Sequence, residues 1–264
     1  WAPLGDPIAP SSAEEQTGKA VAISDDGSRI AVSSEDETSG FITVYAFNQV
    51  EEKWQLLGDT LADDTQRSYG DGLTFSGDGH TLAFVGVPAI NTAGDAYLFR
   101  WDGTEWIDDN LVFSDAFAPT SFALSNDGNV LAAANIFNTE NDRGEVRVYQ
   151  RNNGSWQQRG DAWRGASTGA IIGSGGLSLS ASGDTVLIAS PFEQIPGTDI
   201  SGTDNAYAWT GSAWDQVGST LIYAESGPSL GADADLSEDG RLIVAGAFGS
   251  TINGLVTGQL TAYQ

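Results

Sequence analysis

Three aspartates are the side chains whose type and placement best suit chemistry: Asp71, Asp233 and Asp235. One sequence pattern recurs five times along the chain, and other copies carry small residues such as Ala20 and Ser178 at these places. Carboxylates gathered at one point can bind a cation, or act as the acid and base of a glycosidase. The alternative is that the three only line a water-filled channel, where ionised carboxylates carry little energetic penalty.

Other catalytic chemistry is poorly represented. His80 is the only histidine, and it directly follows Gly79 in a predicted turn, so no catalytic triad is expected. Cysteine is absent, which excludes disulfides, thiolate metal sites and cysteine nucleophiles. We therefore predict no catalytic residue and no cofactor, and favour a non-enzymatic role.

A second acidic feature is the sequence Ser-Asp-Asp-Gly-Ser at residues 24–28. The same serine and glycine return at residues 76–80, 125–129, 180–184 and 237–241. A calcium loop needs several oxygen ligands at alternating positions, but the residue after the serine changes from Asp25 to Gly77 and Ala181. A short polar residue followed by glycine is typical of hairpin turns. We therefore predict turns and no metal site, with calcium binding left open.

Candidate ligand contacts lie on the loops that vary most between copies. Variable loops on a rigid scaffold are where binding residues concentrate. The predicted ligand-binding residues are Tyr69, Asp71, Phe117, Phe137, Arg143, Trp163, Arg164, Phe192, Tyr223, Asp233, Asp235 and Phe248. The alternative for each aromatic residue is that it packs beneath its own loop.

The elements that must position these residues follow from the internal repeat. Tryptophan opens each copy, which divides the chain into repeats 1–53, 54–105, 106–155, 156–213 and 214–264. Each copy holds short apolar alternations separated by Gly, Asn and Asp, which indicate strands. Four strands in about 50 residues are typical of a propeller blade. The sequence thus predicts an all-β fold, a five-bladed β-propeller of four-stranded antiparallel blades, in one domain covering residues 1–264.

The strands of each blade are expected to come from two repeats. We name them inner, second, third and outer: the inner strand ends at the repeated serine, and the outer is the tryptophan strand of the following repeat. The last blade then lacks an outer strand, which Trp1–Ile8 would supply, closing the ring and removing an exposed edge. The repeated tryptophans are expected to pack between blades, because a ligand site would break the symmetry.

Loop length distinguishes the two faces of the predicted propeller. The inner-to-second and third-to-outer connections are short, whereas the outer-to-inner and second-to-third loops vary in length. We call the end carrying the varied loops the long-loop face, and expect binding there. On the other face, Asn153-Gly154-Ser155 matches an N-glycosylation site at Asn153 and, equally, a hairpin turn.

The repeat, with Trp-x-x-x-Gly followed by Val-Ala-Ile-Ser-x-Asp-Gly and later Val-Tyr, resembles FG-GAP-type repeats. These are relatives of the integrin α-chain propeller that occur in secreted and surface proteins of bacteria and marine algae. The resemblance covers all five copies, and it implies an extracellular propeller used for binding or adhesion rather than catalysis. Two features depart from the family: the Phe-Gly dipeptide is largely missing, with Ser68–Gly72 the nearest form, and the integrin calcium loop is absent.

Charge limits the partners that the chain can have. Its 36 acidic and 11 basic residues give a net charge of -25, which disfavours nucleic acids and anionic membranes. No apolar run approaches the roughly 20 residues of a membrane-spanning helix, so no membrane insertion is expected. The chain opens on Trp1, as a processed or excised piece would.

These observations lead to one functional expectation and two alternatives. We expect a non-enzymatic module at the cell surface or outside the cell, used for adhesion, matrix or recognition. It would bind a protein or glycan, or copies of itself, through the long-loop face. The alternatives are a glycoside-active enzyme and a cation-dependent binder, both using the acidic residues at the channel mouth.

Overall fold

A computed structural model describes most of the chain. The described residues are 1–10, 15–35, 39–65, 67–88, 95–109, 111, 113, 117–136, 141–194, 201–222, 230–252 and 255–264. Every regular element within them is a β-strand. The chain divides into two compact units, Trp1–Val112 and Phe113–Gln264. The prediction of a single domain over residues 1–264 stays a prediction.

The described strands form five antiparallel sheets built from consecutive hairpins. In the first unit, the first sheet contains β1 (Gln16–Ile23), β2 (Arg29–Glu35), β3 (Ser39–Asn48) and β4 (Lys53–Leu56), with β5 (Leu61–Thr65) also paired to β3. The second sheet contains β6 (Arg67–Phe75), β7 (Thr81–Pro88), β8 (Asp95–Trp101) and β9 (Trp106–Asp108).

In the second unit, the third sheet contains β10 (Ser121–Leu124), β11 (Val130–Asn135), β12 (Glu145–Asn152) and β13 (Ser155–Gln158), with β14 (Trp163–Arg164) also paired to β12. The fourth contains β15 (Gly176–Leu179), β16 (Thr185–Gln194), β17 (Ser201–Trp209) and β18 (Trp214–Leu221). The fifth contains β19 (Leu230–Leu236), β20 (Ile243–Ile252) and β21 (Leu255–Tyr263).

The outer strand of each four-stranded path comes from the following repeat, as predicted. Trp54 lies in β4, Trp106 in β9, Trp156 in β13 and Trp214 in β18, and each of these strands pairs with the third strand of its sheet. Among the described residues the fifth sheet has three strands, and Trp1–Ile8 contains no strand. Ring closure by that segment therefore stays a prediction.

The repeated acidic stretch forms hairpin turns, as predicted. In the first turn Asp26 Oδ1 accepts hydrogen bonds from Ser24 Oγ at 2.7 Å and from the Ser28 amide at 2.9 Å. Ser24 Oγ accepts from the Arg29 amide at 3.1 Å, and Gly27 has a φ of 69°. The bonds from Ser28 and Ser24 lower the pKa of Asp26, so this carboxylate is used within its turn. Among the described residues, no group of three or more acidic, histidine or cysteine side chains is placed to hold a metal ion.

The variable residue of each turn takes part in a recurring backbone hydrogen bond to the neighbouring sheet. The amide of Asp25 donates to the carbonyl of Gly77 at 2.9 Å, that of Asn126 to Ala181 at 2.9 Å, and that of Ala181 to Glu238 at 2.7 Å. Because only backbone atoms take part in these bonds, the side chain at this position is not constrained by them. This explains why the residue changes so freely between copies.

The Trp-x-x-x-Gly motif fastens one sheet to the next. Trp106 Nε1 donates to the carbonyl of Leu57 at 2.9 Å, and a Cβ on Gly58 would lie 2.9 Å from Trp106 Cδ1. Gly58 also has a φ of 81°, which favours glycine. Trp54 and Trp214 donate in the same way to the carbonyl preceding the glycine of the previous motif. The described tryptophan contacts thus agree with packing between sheets.

Apolar side chains fill the spaces between adjacent sheets within each unit. In the first unit Ile42 of β3 packs with Phe84 of β7 and with Trp106. In the second unit Val146 of β12 packs with Ile188 of β16. No helix in the described part of the chain is long and apolar enough to cross a membrane.

Candidate functional site

A cavity of about 130 Å³ opens between the third and fourth sheets, at the end of the strands that carries the long loops. Its lining includes Trp163 and Arg164 of β14 and, from β17, Thr203, Asn205 and Tyr207. Side chains two residues apart on a strand share a face, so the three β17 residues point together toward the third sheet. Since a cavity of about 150 Å³ holds benzene, this one has room for roughly five or six non-hydrogen atoms.

Two aromatic rings of the cavity lining contact each other. The rings of Trp163 and Tyr207 lie 4.8 Å apart between centroids, and Trp163 also contacts Trp214 at 5.7 Å. Trp163 is held in place because its backbone pairs with Val146 of β12. The rings therefore form a rigid, electron-rich surface.

Glu193, near the end of β16, supplies a carboxylate to the cavity wall. Its Oε1 accepts a hydrogen bond from the backbone amide of Ala166 at 2.9 Å. Its Oε2 is buried and has no hydrogen-bond partner among the described residues. Burial raises the pKa of Tyr207, and the nearby charge of Glu193 raises it further. One carboxylate oxygen of Glu193 is thus held by the backbone, and the other has no hydrogen-bond donor among the described residues.

Polar side chains complete the wall. Asn205 Oδ1 accepts from Thr220 Oγ1 at 2.7 Å and from Gln216 Nε2 at 3.1 Å, which fixes the orientation of its amide. Ser190 of β16 is buried beside Thr203, with which it pairs across the sheet. Hydroxyl and amide groups of this kind determine the orientation of a small ligand in a pocket.

The loop bordering the cavity is tied down by two arginines. Arg143 donates to the carbonyls of Gly165 at 2.5 Å and Ala166 at 3.4 Å. Arg164 Nε lies 3.3 Å from a carboxylate oxygen of Glu145, and its side chain is half exposed. These contacts hold residues 165–166 in place, including the amide that binds Glu193.

The cavity exists because the fourth repeat carries shorter side chains than the third. Counting from the repeated serine, Asn205 stands where the third repeat has Arg147, and Thr203 stands where it has Glu145. In the third repeat these two larger side chains are buried and form an ion pair of 2.7 Å. The Arg147 guanidinium carbon lies 4.5 Å from the centre of the Phe117 ring.

A buried carboxyl group lies on the opposite face of the same strand. Asp204 is 0% exposed, and neither of its oxygens accepts a hydrogen bond of normal geometry from the described residues. Burial raises its pKa to about 7, which the Ser190 amide offsets only in part. By register, the third repeat has Val146 at this position and the first has Ile42.

The structure brings three of the sequence-predicted residues to one place. Trp163 and Arg164 line the cavity, and Arg143 supports the adjoining loop. Phe192 is 47% exposed and does not contribute to the cavity wall. Asn153 lies in an exposed hairpin turn with a φ of 51°.

Two residues predicted to contact a ligand are buried in the structure. Tyr69 is 1% exposed and packs edge-on against Phe84 and Tyr97 in the core of the first unit. Phe117 is also buried, under the Arg147 guanidinium. Both rings are used in packing, because burial of large aromatic surface stabilises the fold more than exposure on a loop would.

The remaining predicted residues contribute no described site. Asp233 and Asp235 of β19 are exposed, and Asp235 accepts a hydrogen bond from Ser178 Oγ at 2.7 Å. Phe137 and Tyr223 lie outside the described residues, as do the side chains of Asp71 and Phe248.

Sequence reasoning missed the five polar or aromatic residues that complete the cavity wall, namely Ser190, Glu193, Thr203, Asn205 and Tyr207. A usable signal was present in the repeat alignment. A charged pair in the third repeat becomes a short neutral pair in the fourth, and the loss of volume at two positions on one face leaves space.

No protein-family model and no curated protein matches the chain. Solved structures do match it. It aligns with a structure from a study of two prolyl endopeptidases at a TM-score of 0.59 and 19% identity, covering 99% of this chain and 35% of that protein. It aligns with the β-propeller domain of the Trilobed protease from Pyrococcus furiosus at a TM-score of 0.56 and 11% identity, covering 92% of this chain and 67% of that one. It also aligns with a periplasmic gluconolactonase from Pseudomonas aeruginosa at a TM-score of 0.52 and 18% identity, covering 91% of this chain and 71% of that protein.

These likenesses show a β-propeller fold. The chain spans about a third of the length of the prolyl endopeptidase that it matches.

The expectation of a non-enzymatic adhesion module is wrong in the light of these findings. The similar propellers belong to a protease, a prolyl endopeptidase and a gluconolactonase, so they support neither an adhesive role nor the exclusion of catalysis. The repeat resemblance alone had suggested adhesion, and no family model supports it.

Proposed function

We propose that this chain is a five-bladed propeller of FG-GAP-type repeats that acts outside the cytoplasm and binds a small polar molecule in the cavity of its fourth repeat. The five sheets and the recurring tryptophan and turn motifs support the blade count and the repeat type. The periplasmic location in the name of one similar gluconolactonase supports the location.

Strand register supports closure of the ring by Trp1–Ile8. In the first sheet Ile42 of the third strand pairs with Leu61, seven residues after the repeated tryptophan. By the same register Leu260 is the counterpart of Ile42, and Ile8 is the counterpart of Leu61. Leu260 is 75% exposed, and the described residues supply no outer strand to its sheet. An apolar side chain at such an edge is stabilised when a further strand covers it.

A disulfide tests this closure directly, because the chain contains no cysteine of its own. Paired strand residues lie within disulfide reach, so Ile8→Cys with Leu260→Cys should cross-link under a mild oxidant and change mobility on a non-reducing gel. Ile8→Cys with Val217→Cys, in the exposed face of the fourth sheet, is the matched control. No cross-link, or equal cross-linking of the control, would contradict closure by this segment.

The binding function is carried by one observation: a cavity that joins two aromatic rings to a buried carboxylate oxygen for which the described residues supply no hydrogen-bond donor. Pockets with largely apolar walls and a few fixed polar groups are the usual form of small-molecule sites. The rings of Trp163 and Tyr207 supply the apolar surface. Glu193, Ser190 and Asn205 supply the polar groups.

Amide-detected NMR titration tests the binding function with four small probes: methylguanidinium, methylurea, acetate and glycerol. At least one of them should cause saturable shifts at the amides of Ala166, Ser190 and Thr203. The double variant Thr203→Glu, Asn205→Arg restores the third-repeat pair and should abolish those shifts. If no probe shifts these amides, or if the filled variant responds as the natural chain does, the cavity is not a binding site.

A further inference from the structure

We infer that the cavity of the fourth repeat binds a small guanidinium compound, in the place where the third repeat holds a guanidinium of its own. This inference rests on the proposed binding function and names the chemical class of the ligand. Three observations carry it: the arginine of the third repeat, the buried carboxylate of the fourth, and the aromatic walls.

The third repeat shows what fills the corresponding position. Arg147 places its guanidinium 4.5 Å from the centre of the Phe117 ring, and its Nε lies 2.7 Å from Glu145 Oε1. At the same register the fourth repeat has Asn205, whose side chain ends about three bonds short of a guanidinium. The fourth repeat therefore retains the space for a guanidinium but lacks the group itself.

The fourth repeat supplies its own counter-charge at a different place. Glu193 Oε2 is buried at the cavity without a hydrogen-bond partner among the described residues, while Oε1 is held by the Ala166 amide. An unpartnered buried carboxylate oxygen carries a desolvation penalty that a cationic N–H donor would remove. A planar guanidinium can donate to such an oxygen and stack on a ring at the same time.

The walls and the surrounding charge also favour a cation. Trp163 and Tyr207 present ring surface that attracts cations electrostatically. Arg164 is the one positive side chain of the cavity wall in the described part of the chain. It lies 3.3 Å from Glu145 and is half exposed to water, so its charge is offset and screened. The net charge of -25 raises the local concentration of cations around the whole protein.

Comparison of methylguanidinium with methylurea tests the charge requirement, because the two probes have nearly the same shape and differ in charge. Titrations at fixed ionic strength, followed by the amides of Ala166 and Thr203, should give saturable binding of methylguanidinium. Methylurea should bind at least about tenfold more weakly, since a hydrogen bond to a charged group is worth a tenfold change or more.

Two variants locate the interaction. Glu193→Gln keeps the acceptor for the Ala166 amide and removes the charge, so methylguanidinium should bind at least about tenfold more weakly. Glu238→Gln, an exposed glutamate in a turn of the same unit, is the matched control and should change affinity less than twofold. Asn205→Arg should abolish binding by placing the protein's own guanidinium in the cavity. It provides a second reading if Glu193→Gln folds poorly.

The failure of this inference can be told apart from failure of the binding function. If methylurea or glycerol binds as tightly as methylguanidinium, or if Glu193→Gln and Asn205→Arg both leave methylguanidinium affinity unchanged, the ligand class is wrong although the cavity still binds. If none of the probes binds at the cavity, both proposals are overturned.

Discussion

Replacing Asp204 with asparagine is expected to change how the folding stability depends on pH. Asp204 is fully buried at a position where the first and third repeats have Ile42 and Val146, and burial raises its pKa from 3.8 to about 7. The folded protein therefore holds this proton more tightly than the unfolded chain does. Stability from this group is fully present below pH 3.8 and is lost as the pH rises toward 7.

The size of the effect follows from the two pKa values. A shift of this size corresponds to about 4 kcal/mol between the acidic and alkaline limits, at about 1.36 kcal/mol for each pKa unit. Between pH 5 and pH 8 the carboxyl of the unfolded chain is already ionised, and that of the folded protein becomes ionised. Over this range linkage predicts that the free energy of unfolding falls by about 2.5 kcal/mol. The asparagine side chain does not ionise in this pH range, so the Asp204→Asn variant should not show this pH-dependent loss of stability.

Urea unfolding of the natural chain and the Asp204→Asn variant at pH 5, 6, 7 and 8 measures the difference. Other carboxylates titrate equally in both proteins, so their contributions cancel in the difference of the two unfolding free energies. That difference should shift by about 2.5 kcal/mol in favour of the variant between pH 5 and pH 8. Asp204→Val, which restores an apolar side chain, should show the same shift. Parallel pH profiles would contradict a raised pKa of Asp204 and would place a charge-stabilising group beside it.

Three further predictions concern the motifs that join the sheets. Gly58→Ala should destabilise the fold by about 3 kcal/mol. The new Cβ would lie 2.9 and 3.0 Å from two tryptophan rings, and alanine would also have to adopt the positive φ of this residue. Gly103→Ala, with a positive φ but no neighbour within 4 Å, should cost about 1 kcal/mol in the same urea titration, and equal losses would contradict the packing role. Asp127→Ala should cost about 1 kcal/mol through the loss of its bonds to Ser125 Oγ and the Asn129 amide, measured by thermal unfolding. Ala181→Ser, at a turn position whose recurring bonds use only backbone atoms, should stay within about 0.5 kcal/mol, and a larger loss would show that the side chain matters there.

The strand organisation could be predicted from the sequence because it rests on local, repeated signals. The serine and glycine of each turn mark the hairpins, and the recurring tryptophan marks the outer strand, so the transfer of strands between repeats followed from spacing. The burial of Tyr69 and Phe117 could not be predicted in this way. Whether an aromatic residue near a loop points inward depends on neighbours from other strands, which the repeat pattern does not specify.

The candidate site could be located only in part. Trp163 and Arg164 were chosen because they lie on a long loop, which is a property of the sequence. The cavity itself depends on what Thr203 and Asn205 leave unfilled, and a void becomes visible only when the opposing wall is placed. Asp204 was missed for a related reason, because an aspartate among other aspartates gives no sign that its own position is buried.

We propose that the fourth repeat accepts a guanidinium from solution at the position where the third repeat holds its own. A crystal structure of the chain grown with methylguanidinium tests this most directly. We expect a planar density in the cavity, within hydrogen-bond distance of Glu193 Oε2 and against the rings of Trp163 and Tyr207. A cavity occupied by water alone under saturating probe, or a probe bound elsewhere with Glu193 uncontacted, would contradict it.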